Sequence, residues 1–381
     1  MVDGAYRTSF LDWLACAVGG REEPASRAAR TLGDGLAERV AALGAAGHVL
    51  DYDDTHAPSL AHLSAPTAPA ALVLGADLGA GLSEVLEAYA AGFEAMGAVA
   101  AANHPGIRER GWHPTSVCGV VGAAVAGARI LSLDDDRAEH AVRLALLRAG
   151  GLQAAFGSDG KALQVGMASA AGASAARLAA AGATAGEEVY AGLEVAFGAR
   201  WPAEAPERDD EAIRGNWIKA YPCCLQTHGP IEAAARVGEE VGLPEGEIEV
   251  VVHPVSLQTA WRTAVAHGLE AKFSIPYLTA FTLLYGAPGL DAFRAVDPAA
   301  QALAAERIVV RTDVAMLESE AAIEAGGERL AHVEAALGSP ARPMDEGALA
   351  AKVSELAGER LDGLLEDAER PAREVLEAAL A

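Results

Sequence analysis

The chain is poor in positive charge. Its 381 residues include 29 Lys and Arg against 53 Asp and Glu, which gives a formal net charge of −24 at pH 7. A surface this acidic repels phosphate backbones and anionic lipid headgroups, and no run of Lys and Arg offsets it. The composition therefore predicts neither nucleic acid nor a membrane as a partner.

Cysteine is also scarce. The four thiols, Cys16, Cys118, Cys223 and Cys224, form no CxxC pair and lie among apolar or small residues. Such settings predict reduced cysteines that behave as small hydrophobic side chains. No basic start is followed by an apolar signal core, and no apolar run of spanning length lacks Gly or charge. These observations predict a cytoplasmic protein.

Aromatic residues make up only 5% of a chain that is 51% hydrophobic. A composition rich in Ala and Gly suits helices packed closely through small side chains, and the length exceeds what one core usually serves. Helical spacing dominates up to residue 215, strand-like patterns begin at Ile248, and helical spacing returns after Pro340. We therefore predict a mainly α fold, with a discontinuous all-helical domain (residues 1–215 and 338–381) and an inserted, smaller α+β lid domain (residues 216–337).

A dense polar segment, LDYDDTHAPSLAHLSAP, separates the helical runs at Leu50–Pro66. Its apolar flanks favour a lined cavity over an exposed loop. Pro66 and Pro69 are predicted to interrupt the chain before the next helix. A second polar stretch, GWHPT, should lead into a helix capped by Thr115.

Four blocks in order carry a family resemblance: LDYDDTH, GWHPTSVCGVVGAA, GSDGKALQVGMASAAG and NWIKAYPCCLQTHGPIEA. The sequence resembles the MmgE/PrpD family from about Leu11 to about Leu337. The family includes 2-methylcitrate dehydratase, cis-aconitate decarboxylase and iminodisuccinate epimerase, and the resemblance implies the same two-part fold. It also implies a shortened amino-terminal part. Two positions depart from the family, which often has Asn at Leu43 and His at Gln164.

The resemblance also implies a set of site residues. It implies catalytic roles for Asp51, His62, His113, Lys161 and Tyr277, and substrate binding by Thr55, Lys161, Lys219 and Tyr277. The two lysines should face substrate carboxylates, and Asp51 should orient a histidine or bind a substrate hydroxyl. Trp112 and Pro114 should desolvate the ring of His113 and lower its pKa, leaving a neutral base. We expect all these residues to converge on one cleft between the two domains.

Structural interpretations compete at several of these polar positions. The acids of the DYDD stretch could bind a divalent cation, although Asp53 and Asp54 are better interpreted as caps of a helix or turn. His56, His104 and His228 are interpreted as structural histidines. The cysteines lack metal-ligand spacing. The sequence thus predicts neither a metal nor an organic cofactor.

The predicted function is that of a cofactor-independent lyase acting on a di- or tricarboxylate. The first hypothesis is dehydration of a 2-methylcitrate-like hydroxy acid, by proton abstraction next to a carboxylate. Decarboxylation of a cis-aconitate-like acid, or epimerisation of a dicarboxylate, would use the same groups and stays open. An inactive homologue that binds small acids is the alternative from another class. A homodimer is expected, since small-residue helices offer more apolar surface than one modest core needs.

Overall fold

The computed structural model describes residues 4–201 and 210–380. These form two compact units. Unit 1 is Met1–Ala155, Asp159–Ile218 and Asp345–Ala381, and unit 2 is Phe156–Ser158 and Lys219–Met344. In the described residues, unit 1 is helical apart from one two-stranded ladder, whereas unit 2 contains a four-stranded sheet. The prediction of a mainly α fold with a smaller α+β part is confirmed.

The first part of unit 1 is a succession of helices. Their bounds are α1 Gly4–Gly20, α2 Pro24–Arg30, α3 Leu36–His48, α4 Ser64–Leu78, α5 Leu82–Ala102, α6 Gly106–Glu109, α7 Pro114–Ile130, α8 Asp135–Leu146, α9 Gly160–Ala180, α10 Glu188–Phe197 and α11 Glu211–Arg214. Two short strands, β1 Thr55–His56 and β2 Asn216–Trp217, pair in antiparallel fashion. The ladder ties the polar segment after α3 to the end of this part of the chain.

Small residues let the central helices of unit 1 touch through their backbones. A Cβ atom added at Gly166 of α9 would lie 2.2 Å from the carbonyl oxygen of Ala41 in α3. No side chain fits in that space, so glycine sets the distance between these two helices. The Ala- and Gly-rich composition is thus the means by which α3 and α9 pack.

The prolines predicted to precede the fourth helix lie within it. Helix α4 begins at Ser64 and includes both Pro66 and Pro69. Pro66 is in the first turn, where a backbone N–H has no intrahelical partner in any case. Its carbonyl oxygen also accepts a hydrogen bond from Ser169 Oγ in α9, at 2.6 Å. The prediction of a break was wrong: Pro69 is buried within α4 against α3, where a Cβ added at Gly44 would lie 3.4 Å from its ring, and this packing offsets the local cost of the proline.

Helix α5 is the one described helix that is long and apolar enough to cross a membrane by length and composition. Of its most apolar 18-residue stretch, 72% is buried inside the protein. Tyr89 and Phe93 of α5 form edge-to-face contacts with Tyr6 of α1. Such burial is that of a core helix.

Unit 2 is built around a mixed sheet. Its helices are α12 His228–Glu240, α13 Pro254–Thr259, α14 Gly268–Ala271, α15 Ile275–Tyr285 and α16 Pro298–Arg307, and its strands are β3 Ile248–Val252, β4 Ile308–Thr312, β5 Ala321–Ala325 and β6 Glu328–Val333. The strand order is β4-β3-β5-β6, with β3 and β4 parallel and the other pairs antiparallel. The strands predicted from the alternating apolar pattern are therefore present.

The core of unit 2 lies between this sheet and its helices. Val250 and Val252 of β3 point to one face of the sheet and are fully buried in that core. Val251 points to the other face, where it packs with Met316 and with Ala322, its neighbour on β5. This alternation follows from the two-residue repeat of a strand.

The chain returns to unit 1 in α17 (Glu346–Ala357) and α18 (Ala372–Leu380). Helix α17 brings the buried Lys352 to α1, where its Nζ lies 2.5 Å from Asp12 Oδ1. The same ammonium donates to the carbonyl oxygen of Tyr52, at 2.7 Å. Lys352 of α17 therefore links Tyr52 of the polar segment to Asp12 of α1.

Candidate active site

The polar segment begins directly after α3. His48 is the last residue of that helix, and Asp51 has a left-handed backbone with φ of 53°. Asp tolerates this conformation better than most residues with a side chain. The turn brings the chain into β1, and Leu60, also at a φ of 53°, turns it toward α4. Two sharp turns thus fold a short segment so that its carboxylates and histidines lie inside unit 1.

Asp53 receives hydrogen bonds from two histidines. Its Oδ2 lies 2.9 Å from His48 Nδ1 and 3.0 Å from His62 Nδ1, and all three side chains are buried. Burial by itself would raise the pKa of Asp53, but the attraction and hydrogen bonds of the two imidazoles hold it well below its usual range. Asp53 is therefore ionised, and both histidines carry their proton on Nδ1.

Fixing the proton on Nδ1 decides which nitrogen of His62 can accept another. Its Nε2 faces Asp51, whose Oδ1 is 3.7 Å away. The same Oδ1 accepts a hydrogen bond of 2.9 Å from Lys161 Nζ. A buried row of contacts thus runs from Lys161 through Asp51 and His62 to Asp53. A neutral His62 in this row has its lone pair on Nε2.

His113 lies at the start of α7, as its N-cap residue. Its backbone N–H donates to Gly151 O at 3.0 Å, and its ring stacks at 6.1 Å from that of His48. Burial and then the positive charge of Lys161 lower the pKa of His113 well below its usual value. His113 is therefore neutral, as expected from its sequence context.

Thr115 has a different role from the one predicted, whereas the role predicted for Thr55 stays a prediction. Thr115 does not cap α7, because His113 occupies that position. Its Oγ1 instead accepts a hydrogen bond of 3.1 Å from the backbone N–H of His62. Thr55 lies in β1, and among the described residues its buried Oγ1 has no hydrogen-bond partner. A buried hydroxyl of this kind is available to a ligand.

Two of the predicted site residues belong to unit 2. Lys219 is the first residue of the second segment of unit 2, and it is only 1% exposed. Tyr277 lies in the first turn of α15, and its hydroxyl oxygen accepts a hydrogen bond from the backbone N–H of Asp297 at 2.9 Å. Burial raises the pKa of Tyr277. Their roles toward a substrate stay predictions.

The three carboxylates of the DYDD stretch have different partners. Asp51 faces Lys161, Asp53 faces two imidazoles, and Asp54 Oδ2 accepts from Ser64 Oγ at 2.7 Å. Asp54 also accepts from Asn216 Nδ2 at 2.7 Å. The interpretation of Asp53 and Asp54 as caps was wrong, because each is buried and bonded to side chains.

One group of described residues has the composition of a metal site. Ligand atoms of His48, Asp53 and His62 all lie within 4.8 Å of one another. The Nδ1 to Oδ2 distances of 2.9 and 3.0 Å are those of hydrogen bonds. A divalent cation at their centre would have to displace both Nδ1 protons and would face the ammonium of Lys161. The arrangement fits a proton-bearing network better than a cation.

Sequence reasoning missed the residues that orient the others. His48 and Asp53 were not predicted as site residues, and Gln164 was noted only as a departure from the family. A local signal existed for His48, since it ends a helix five residues before Asp53. His56 agrees with its structural interpretation: its Nδ1 lies 2.8 Å from Ser59 Oγ, and burial lowers its pKa to about 4.

Comparison with known proteins places this geometry in a family. The MmgE/PrpD N-terminal domain matches residues 35–200, and the MmgE/PrpD C-terminal domain matches residues 221–378. The chain is 29% identical over 270 residues to cis-aconitate decarboxylase of Homo sapiens, covering 66% of this chain and 56% of that protein. It is 29% identical over 265 residues to cis-aconitate decarboxylase of Aspergillus terreus, covering 60% of this chain and 54% of that protein.

The chain therefore spans only a little more than half the length of these two relatives. The two domain matches, in contrast, take in most of its own length and include every predicted site residue except Lys219, which lies between them. The resemblance seen in its four sequence blocks is confirmed, and the chain belongs to the MmgE/PrpD family.

Proposed function

We propose that this protein is a lyase that removes carbon dioxide from an unsaturated tricarboxylate of the cis-aconitate type. The observation that carries the proposal is the buried row of Lys161, Asp51 and His62, with Asp53 fixing the proton of His62. The two decarboxylase relatives support the choice of reaction. Dehydration, the first hypothesis from the sequence, has no such support among these relatives.

Binding a polyanion requires local positive charge in a chain of net charge −24. Lys161 supplies it in unit 1, where it is only 7% exposed. Its ion pair with Asp51 limits the cost of burying an ammonium. A substrate carboxylate that approaches Lys161 can share this ammonium with Asp51, and the hydroxyl of Thr55 can donate a further hydrogen bond.

The reaction balances without a co-reactant other than a proton. Loss of carbon dioxide from the carboxymethyl arm breaks one C–C bond, and its electron pair forms a double bond to the central carbon. The former alkene electrons move to the far alkene carbon, where the adjacent carboxylate delocalises the negative charge. One proton then adds to this carbon. One tricarboxylate and one proton thus give carbon dioxide and one unsaturated dicarboxylate.

The protein contributes charge stabilisation and a proton. Lys161 offsets the charge that develops on the carboxylate next to the reacting carbon. His62, once protonated, can deliver a proton from Nε2, and the Asp53 carboxylate stabilises the imidazolium that does so. A positioned proton-transfer group of this kind contributes about a hundredfold or more to the rate.

The direct test is product analysis in heavy water. The chain is incubated with cis-aconitate, 2-methylcitrate or citrate, and carbon dioxide release and the proton spectrum of the product are recorded. We expect carbon dioxide only from the unsaturated tricarboxylate, with one solvent deuterium at the former alkene carbon. His62→Gln should lower kcat by about a hundredfold or more.

His267→Gln is the matched control, since His267 is exposed and makes no side-chain cap bond at α14. It should retain wild-type turnover. If an alkene forms from the hydroxy acid without release of carbon dioxide, the reaction is a dehydration and the proposed decarboxylation is wrong. A rise in melting temperature with these acids but no turnover would indicate a binding protein instead of an enzyme.

A further inference from the structure

The side-chain amide of Gln164 makes three hydrogen bonds. Its Oε1 accepts from the backbone N–H of Leu152 at 3.0 Å, and its Nε2 donates to the carbonyl oxygen of the same residue at 3.2 Å. The remaining contact joins Gln164 Nε2 to His113 Nδ1 at 2.7 Å. One amide thus connects α9 with both the 150s loop and the histidine at the start of α7.

The pairing with Leu152 fixes which way the amide points. If Oε1 and Nε2 exchanged places, Oε1 would face a carbonyl oxygen and Nε2 would face an N–H donor. Both hydrogen bonds would be replaced by repulsive contacts. Gln164 therefore presents an N–H, and not an oxygen, to His113.

Leu152 is itself held next to the histidine. Trp112 and Leu152 form an antiparallel bridge, with His113 N donating to Gly151 O at 3.0 Å and Gln153 N donating to Gly111 O at 2.9 Å. The backbone that orients the amide is thus paired with the backbone that carries the imidazole. Movement of one strand of this pair would carry the other with it.

An N–H donor aimed at Nδ1 requires a lone pair on that nitrogen. In a neutral imidazole the proton must then be on Nε2. We propose that Gln164 is a positioning residue that holds His113 as the neutral Nε2–H tautomer, so that His113 donates a hydrogen bond to a substrate oxygen and does not act as the base. The substrate part of this statement rests on the proposed function.

The two histidines are therefore held in opposite tautomers. Asp53 accepts from Nδ1 of His62 and leaves a lone pair on its Nε2, whereas Gln164 donates to Nδ1 of His113 and leaves a proton on its Nε2. His62 is then the group that exchanges a proton with carbon. His113 stabilises negative charge on oxygen in the same step, as a neutral imidazole at a helix N-terminus is able to do.

The surroundings of His113 favour its neutral form. Burial, then the charge of Lys161 and the imidazoles of His48 and His62, lower the pKa of His113, and the carboxylate of Asp51 opposes them. An imidazolium would also direct an Nδ1–H at the N–H of Gln164. Gln164→Glu replaces the N–H that faces Nδ1 by an acceptor oxygen with almost no change in side-chain size. A proton on Nδ1 of His113 then becomes favourable.

Nitrogen-15 spectra of the histidine rings test the tautomer without any substrate, because the two neutral forms and the imidazolium give distinct nitrogen shifts and ring-proton couplings. The His113 signal is identified by its loss in His113→Asn. We expect Nε2–H in the wild type and Nδ1–H or imidazolium in Gln164→Glu. Gln164→Met, which neither donates nor accepts, should give a mixture of neutral tautomers.

Gln153→Met is the matched control for Gln164→Met. Gln153 is in the same loop and donates to two backbone carbonyls, those of Arg108 and Trp112, but its amide does not face His113. The substitution removes comparable bonds from the same loop and places no new charge against the carbonyl oxygens next to His113. It should leave the His113 spectrum as in the wild type.

Turnover of the tricarboxylate then separates positioning from packing. We expect kcat of Gln164→Glu to fall by about a hundredfold, with a much smaller change in KM and with the acidic limb of the pH profile moved to higher pH. Gln164→Met should lie between this variant and the wild type. Gln153→Met should retain wild-type kcat.

The spectra test the tautomer of His113, and the kinetics test the proposed function independently of it. An Nδ1–H signal in the wild type, or an unchanged tautomer in both Gln164 variants, overturns the inference whatever the substrate is. The expected spectra without turnover of any acid would refute the proposed function and leave the tautomer assignment in place. Wild-type kcat in a Gln164→Glu enzyme whose tautomer has changed would refute the role given to His113.

Discussion

Asp53→Asn is the substitution that most directly tests how the site is organised. The carboxylate is fully buried and accepts from His48 Nδ1 at 2.9 Å and from His62 Nδ1 at 3.0 Å. An asparagine has one acceptor oxygen and one donor group in the same place. With its oxygen at the position of Oδ2 it can still accept from both imidazoles, but it carries no charge, and its NH₂ group replaces the Oδ1 that lies 3.1 Å from His48 Nδ1.

The magnitude follows from what is lost. A hydrogen bond to a charged group contributes about 1.5–3 kcal/mol and one between neutral groups about 0.5–1.5 kcal/mol, so making the shared acceptor of both bonds neutral should lower the free energy of unfolding by about 2 kcal/mol. The imidazolium form of His62 loses its counter-charge, and a neutral acceptor also holds the Nδ1–H tautomer of His62 less strongly. We expect kcat to fall by about two to four orders of magnitude.

Urea unfolding followed by circular dichroism measures the first effect, and carbon dioxide release measures the second. Asp54→Asn is the matched control, because Asp54 is the next residue, is equally buried, and bonds to Ser64 and Asn216 instead of to a histidine. Its kcat at neutral pH should stay within a few-fold of wild type. A folded Asp53→Asn enzyme with wild-type kcat would refute the role assigned to the Asp53–His62 pair.

Three further predictions concern stability. Burial, and then the charge of Asp12, raises the pKa of Asp54 to about 8, so between about pH 4 and 8 the folded state keeps a proton that the unfolded chain releases. Stability should fall as pH rises through this window, by up to about 1.4 kcal/mol per pH unit, and urea titrations should show a flatter profile for Asp54→Asn. Lys352→Met removes the ion-pair partner of the buried Asp12 and should lower the free energy of unfolding by about 3 kcal/mol or more, with partial recovery when Asp12→Asn is added. Gly151→Ala should lower the melting temperature, because Gly151 has a φ of +116° and an added Cβ would lie 2.5 Å from Ser116 Oγ; an unchanged melting temperature would contradict the tight packing of this loop.

Much of the architecture could be predicted because it depends on local patterns. The alternating apolar residues of Ile248–Val252 and Ala321–Ala325 gave strands at these positions, and the small-residue runs gave packed helices. Pro69 shows the limit of local reasoning. Its cost to a helix is local, but the packing that outweighs that cost involves residues far away in the sequence. The expected homodimer stays a prediction that light scattering can test.

The sequence by itself determined which chemical groups are present and that they belong to one family: the acids and histidines of the polar segment, a lysine among glycines, and a histidine before a proline. Only the tertiary structure decided what each group does. Lys161 meets Asp51 across 110 residues, and Gln164 meets His113 across 51. These contacts depend on how α3, α7 and α9 pack, and a proton moves to whichever ring nitrogen that packing places opposite an acceptor. No local pattern encodes that choice, which is why Asp53 was interpreted as a cap and Gln164 as a mere departure from the family.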